Sequence, residues 1–349
     1  MQSLVAFVTL AALFSSSLAS PTKTGTAKRA TCTVDSVASA ADLSDCTDVE
    51  IAAWSVPSGD VIKIQSHHVQ AASGAVGSVN FTFTDASGPL WEFDTDNVDF
   101  NGNGFSFLGN GPLYWDGLGT DGGVPKPHPF VKFEGSGTFT NFIIKDSPAQ
   151  AISIGTTAAS TFTDILVDNL DGTTDGLGAN TDGFDVSASD VTISGNTVFN
   201  QDDCLAINSG TNILSKTTCA LADTCYYLWQ HCVESMYGMR IKVDSDATDA
   251  TVSGITYIGN SISANDKYGY LISQSYSEDF GTPGTGSLVE DITFSGATTT
   301  VTTTGSFPVV GVDCGNCQGT WDWGSLDATG GEAADIILTG GAKISGGTF

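Results

Sequence analysis

The chain has 349 residues with 12 Lys and Arg against 39 Asp and Glu, a formal net charge of -27. That balance excludes a nucleic-acid binder, because every phosphate would meet net repulsion. The apolar run near the start is too short to cross a membrane, and 41 Gly among many Ser, Thr, Asn and Asp residues argue for short strands and turns over helices.

Taken in chain order, residues 1-19 read as a signal peptide. An apolar run from Leu4 to Phe14 is followed by Ser15, Ser16, Ser17, Leu18 and Ala19, a small-residue cleavage site. Lys28-Arg29 is a dibasic processing site, so residues 20-29 read as a propeptide and Ala30 as the mature start. Removing Lys23, Lys28 and Arg29 with no acid moves the charge from -27 to -30. The expected product is secreted, extracellular, monomeric and without a membrane partner. Eight cysteines in an exported chain point to disulfides, with Cys32–Cys46, Cys204–Cys219 and Cys314–Cys317 as local pairs and Cys225 and Cys232 left over. Asn80-Phe81-Thr82 is a glycosylation sequon.

Ser36 to Cys46 carries Val37, Ala40, Ala41 and Leu43 at helical spacing, which predicts a short N-terminal capping helix. The remainder is repetitive. Phe139–Ile144, Phe162–Val167, Val191–Asn196, Val252–Tyr257 and Val289–Phe294 are short alternating apolar segments, separated where consecutive by about 20 to 30 residues, the period of a solenoid coil. Asn101, Asn103, Asn196, Asn200 and Asn260 fit the bends between sheets. The predicted fold is all-β, one solenoid domain over 30-349, with a sandwich or propeller as alternatives that lack the expected hairpin or blade signals.

Three clusters interrupt the repeats: Asn180-Thr181-Asp182, Gln201-Asp202-Asp203-Cys204 and Arg240-Ile241-Lys242. Asp182 and Asp202 are 20 residues apart (202 less 182), about one coil, so they belong on adjacent rungs roughly 5 Å apart. Three carboxylates so close cannot all ionise easily, and a protonated acid beside ionised bases is what glycoside hydrolysis requires. Asp202 and Asp203 can share one face only where the backbone bends, with Gln201 and Cys204 as candidates to hold that bend. Arg240 and Lys242 alternate in strand register and would hold a carboxylated sugar, the guanidinium by two hydrogen bonds.

These residues resemble fungal polygalacturonases of glycoside hydrolase family 28, from Cys32 to about Trp323. The resemblance rests on Asn180–Asp185, Asn200–Gly210, Arg240–Lys242, Tyr268-Gly269 leading to Gln274 and Tyr276, and Cys314–Trp323. It implies a right-handed parallel β-helix that hydrolyses α-1,4-galacturonosyl links of pectate with inversion and without metal or other cofactor. By resemblance Asp202 is the general acid, Asp182 and Asp203 activate water, and Asn180, Arg240, Lys242 and Tyr276 contact galacturonate. The same comparison exposes a departure. Where the family carries Gly-His-Gly after a cysteine, this chain follows Cys219 with a glycine-free stretch from Ala220 to Glu234 that contains His231. From Ile213 to Arg240 there are 27 steps (240 less 213), about one coil short of the family pattern, which would shift Arg240 and Lys242 by a rung. A mis-joined exon, a non-catalytic pectin-binding relative and an enzyme using His231 differently each fit; His231 itself is assigned no role. A pectate lyase on a similar β-helix is the rival activity.

Overall fold

Segments in which every second residue is Val, Ile or Phe bury one face and expose the other, and their natural partner is the same segment one coil later. In the computed structural model, which describes residues 30–72, 77–219, 236–263 and 267–349, they pair in this way. The side chains of Cys219 and Ser263, and the readings made on residues 1–29, Cys225, His231 and Cys232, lie outside the described set.

One ladder carries the site. In register, Ile62, Trp91, Val131, Ile152, Phe184, Leu205, Met239, Tyr270 and Val310 stack as an inward column, all buried. A parallel column of Ile64, Phe93, Phe133, Ile154, Val186, Ile207, Ile241, Ile272 and Val312 runs two positions on. The residues between them face outward, among them Asp185, Ala206 and Arg240. A second ladder runs through Gly137–Lys145, Ser160–Asp168, Val191–Phe199, Thr251–Tyr257 and Leu288–Phe294, the repeat segments expected from sequence. All pairings are parallel, which makes the fold a β-helix, right-handed as parallel crossovers are. The interior is filled by stacked rings, with Phe93 on Phe133 at 5.1 Å and Phe139 on Phe162 at 5.0 Å between centroids.

The bends are held by buried asparagines. Asn196 accepts from the Ile165 N–H at 2.8 Å and donates to the Phe162 carbonyl at 3.1 Å, joining one coil to the one before it. The capping helix forms over Val37–Ala41, started by a Ser36 cap that accepts from Ser39 N–H, and packs on the strands Thr31–Val34 and Ile62–Ile64. Cys32–Cys46 and Cys314–Cys317 are bonded as expected, and Cys204 is also disulfide-bonded.

The strand Tyr237–Asp244 lies directly on the first part of Asp203–Cys219, with Leu205 opposite Met239 and Ala206 opposite Arg240. Arg240 and Lys242 therefore stand on the rung next to that of Asp203. Asp203–Cys219 runs through both ladders as one continuous 17-residue strand.

Candidate active site

The acidic turn is built by its neighbours before any charge is considered. Gln201 donates through Nε2 to the Asn169 carbonyl at 2.7 Å and accepts from Thr181 Oγ1 at 2.8 Å, while its own N–H donates back to Thr181 Oγ1 at 2.8 Å. A Cβ on Gly172 or Gly178 would fall 2.5 or 2.6 Å from the Gln201 amide oxygen, so both positions need glycine for the amide to lie there. Asn200 Nδ2 donates to the carbonyls of Asp203 at 2.8 Å and Thr181 at 3.2 Å. Past this turn Cys204 and Leu205 both enter the core, so strand alternation breaks between them. Asp202 lies in the turn before the strand and Asp203 at its first position, and their carboxylates come together there, each with an oxygen within 4.8 Å of the other.

The ladder offset is 21 (205 less 184), so Asp182 lies beside Asp203, whose carbonyl accepts from Gly183 N–H at 2.9 Å. Asp202 sits one position earlier on the same rung. The three carboxylates each place an oxygen within 4.8 Å of the others. They are almost wholly enclosed, with residue exposures of 2% for Asp182, 8% for Asp202 and 0% for Asp203.

Lys242 reaches into the trio. Its Nζ lies 2.9 Å from Asp203 Oδ2, 3.2 Å from Asp182 Oδ2 and 3.5 Å from Asp185 Oδ1. Burial works against its charge, but Asp203, Asp182 and Asp185 outweigh that and hold the ammonium on. Asp182 Oδ1 and Asp203 Oδ1 are buried and have no hydrogen-bond donor among the described residues. Arg240 Nη1 stands 3.8 Å from Asp203 Oδ1, near enough for attraction and too far for a hydrogen bond.

Asp202 is held differently. Its Oδ1 accepts from the Asp203 N–H at 2.8 Å and its Oδ2 from Asn180 Nδ2 at 3.3 Å. Burial, then the charges of Asp182 and Asp203, push its carboxyl well above the usual range. Burial likewise raises Asp182, and lifts Asp185 to about 7 with help from the Asp182 charge. The same trio is the one group among the described residues with cation-ligating spacing. A divalent ion there would meet the Lys242 ammonium, so these donors fit a metal poorly.

Arg240 lies over the Tyr237 ring, 4.0 Å from its centroid, and 5.2 Å from that of Tyr276. Its Nη2 donates to Asp279 Oδ1 at 2.9 Å, a carboxylate that also accepts from Tyr237 Oη at 2.5 Å and from Lys267 at 3.3 Å. Part of the fork expected to grip a sugar carboxylate is thus engaged within the chain. Tyr276 lies near both cations, its centroid 5.7 Å from Lys242 Nζ. The seven residues singled out from sequence, Asn180, Asp182, Asp202, Asp203, Arg240, Lys242 and Tyr276, all converge here. Asp185, Tyr237, Lys267 and Asp279 join them without having been foreseen. Asp185 was findable, since it is outward in the strand Phe184–Ser187, three residues after Asp182.

The raised carboxyls make a stability prediction. The folded chain retains protons that unfolded Asp side chains have lost above about pH 4, so unfolding releases protons in that window and a rise in pH favours the unfolded state. Asp146, raised to about 6 by burial, acts in the same direction. Asp94, Asp96 and Asp116 are lowered and matter only at more acidic pH. Calorimetry at pH 4, 5, 6 and 7 is expected to show a melting temperature that falls step by step; a flat or rising series contradicts this.

Three enclosed carboxylates, one raised by burial and its neighbours and two on a lysine, on the outer face of a parallel β-helix, are the kind of equipment that glycoside hydrolysis uses. Comparison with known proteins agrees. The chain belongs to Glycosyl hydrolases family 28, whose profile matches residues 42–222 and 229–343; the break at 223–228 falls within the segment that departs from the family text. It is 33% identical over 346 residues to a probable endopolygalacturonase C of Aspergillus aculeatus, covering 91% of this chain and 89% of that one. To endopolygalacturonase A of Aspergillus niger it is 32% identical over 351 residues, 93% and 94% of the two chains. Endopolygalacturonase I of Stereum purpureum, solved with two galacturonates, superimposes with a TM-score of 0.78 at 42% identity, covering 91% of this chain and all of that one.

Proposed function

We propose that this chain is a secreted, monomeric endo-acting polygalacturonase that hydrolyses α-1,4-galacturonosyl links of pectate, with Asp202 as general acid and Asp182 and Asp203 as the groups that activate water. The observation that carries this reading is the division of labour among the carboxylates. Asp182 and Asp203 each commit Oδ2 to Lys242 and keep Oδ1 free of any donor among the described residues, ready to accept from a water. Asp202 does not touch Lys242 and is kept protonated by burial and its two neighbours. The leaving oxygen takes the Asp202 proton, and the water gives its own to the anchored pair.

Arg240, Lys242 and Tyr276 bind the galacturonate on one side of the scissile bond, and Asn180 contacts the sugar beside Asp202. Locating Arg240, Lys242 and Lys267 at this cleft supplies cations for a polyanion that the rest of the chain, at -27, would repel. An acidic working pH, which neutralises surface carboxylates and keeps Asp202 protonated, removes the remaining conflict.

Release of reducing ends from polygalacturonate tests the activity. Absorbance of an unsaturated product together with loss of activity in chelator would show a lyase instead. Oligogalacturonate binding without new reducing ends would establish the non-catalytic relative.

Stereochemistry needs its own measurement. The oxygens approach within 4.8 Å, closer than the ~6.5–9.5 Å usual between acid and base in inverting enzymes. For inversion the water must sit at the rim of the trio, on the two Oδ1 atoms, and not between acid and base. Proton NMR early in the reaction is expected to show the β-anomer of the new reducing end first. The α-anomer first would mean retention and a carboxylate nucleophile.

A further inference from the structure

Asn180 is gripped by a loop that the catalytic reading does not use. The Thr120 N–H donates to Asn180 Oδ1 at 3.0 Å, and the Thr120 hydroxyl donates to the same atom at 3.3 Å. Three residues earlier on both segments, the Gly117 N–H donates to the Leu177 carbonyl at 2.9 Å. With Oδ1 occupied by donors, the amide must turn Nδ2 the other way, and that nitrogen is the one that donates to Asp202 Oδ2 at 3.3 Å. Asn180 itself has a left-handed backbone, φ 50°, a conformation asparagine tolerates, so its side chain leaves the chain at an angle set by the turn.

The loop closes on Asp116. Its Oδ1 accepts from Lys126 Nζ at 2.8 Å and from the Leu118 N–H at 3.0 Å, and its Oδ2 accepts from the Val124 N–H at 2.7 Å. The Lys126 side chain is only 1% exposed and also donates to the Val124 carbonyl at 3.0 Å. One carboxylate thus fixes both ends of the segment that carries Thr120. The clearances around it are small. A Cβ on Gly119, whose φ is +55°, would lie 2.0 Å from Asn180 Oδ1, and one on Gly123, φ +70°, would lie 1.9 Å from Asp116 Oδ2.

We propose that Asp116 is a positioning residue of the catalytic site, acting through residues 117–124 and Asn180 to fix the donor on Asp202. This rests on the reading of Asp202 as the acid. A donor on Asp202 Oδ2 favours the ionised carboxyl, opposing burial and its acidic neighbours. With that donor displaced, Asp202 stays protonated to higher pH, but its aim at the leaving oxygen is loosened.

The test uses the full chain with Gly119→Ala and Asp116→Asn, measuring kcat, KM and the pH dependence of kcat on polygalacturonate, with melting temperatures recorded alongside. Both variants are expected to lose kcat by about 10- to 100-fold, the scale set by misplacing a catalytic group by about 1 Å. In both, the high-pH limb of kcat is expected to move to higher pH. Loss of activity with an unmoved limb would indicate only a structural role and would overturn the proposal, as would wild-type kinetics in both. If Asp116→Asn does not fold, Gly119→Ala still tests the link from this loop through Asn180 to Asp202, and wild-type kinetics or an unmoved limb in that variant overturns the proposal. An Asp202→Asn chain run in parallel separates the two ideas. Should it keep wild-type activity, the acid assignment fails; should it lose activity while the loop variants do not, only the role of Asp116 fails.

Discussion

Asp202→Asn is expected to lower kcat on polygalacturonate by about 10²–10⁴-fold, the usual contribution of a positioned general acid, and to leave KM near the wild-type value. An amide in place of the carboxyl has one acceptor oxygen for the two donors that meet Asp202, so it keeps only one of the Asn180 and Asp203 N–H contacts, and it has no proton to give to the leaving oxygen. The fold should be undisturbed, since the turn is held by Asn200, Gln201 and Thr181 and not by this carboxyl. The high-pH limb of the rate profile, assigned to loss of the Asp202 proton, should vanish with it. A variant that keeps half of its activity, or one that loses substrate affinity in place of turnover, would remove Asp202 from the acid role.

Lys242→Met is expected to damage both rate and stability, and the two losses should depend on pH in different ways. The ammonium is within 3.5 Å of Asp182, Asp185 and Asp203. Breaking a buried ion pair by deleting one partner costs about 3–5 kcal/mol. Near pH 7, where Lys242 opposes the burial that raises Asp182, urea unfolding should show a loss of that order. At pH 4 the orphaned Asp182 carboxyl takes up a proton and the loss should shrink. For the rate, that proton is harmful, because a protonated Asp182 cannot take a proton from water. The low-pH limb of kcat should therefore move up in the variant. A stability loss of equal size at both pH values would mean that Lys242 contributes packing of its stem and not charge.

Much of this was legible in the residues alone. The alternating segments Phe139–Ile144, Phe162–Val167, Val191–Asn196, Val252–Tyr257 and Val289–Phe294 fall within observed strands because alternation with a burial face on one side admits few other partners. The short disulfides at Cys32–Cys46 and Cys314–Cys317 followed from proximity in the chain. Asp182, Asp202, Asp203, Arg240 and Lys242 could be chosen because charged side chains clustered at coil spacing stand out against a background of Thr, Ser and Val, whereas Asn180 and Tyr276 were assigned only through the resemblance to family 28.

Register was decided in three dimensions. A coil length of 20 or 21 residues looks the same in the sequence, yet it determines whether Asp182 lies beside Asp202 or Asp203, and the packing of Phe184 on Leu205 selects the latter. That Tyr237–Asp244 lies directly on Asp203–Cys219 was likewise beyond a residue count, which does not say where a strand passes from one ladder to the other. Asp279, 39 residues beyond Arg240, and Asp116, 64 before Asn180, reach the site through loops whose paths follow no period (279 less 240; 180 less 116). Local patterning determines which faces are buried and which residue types cluster, since both depend on neighbours at fixed spacing. Which carboxylate stays protonated depends on enclosure and on charges brought from distant coils, and only the packed fold sets those distances.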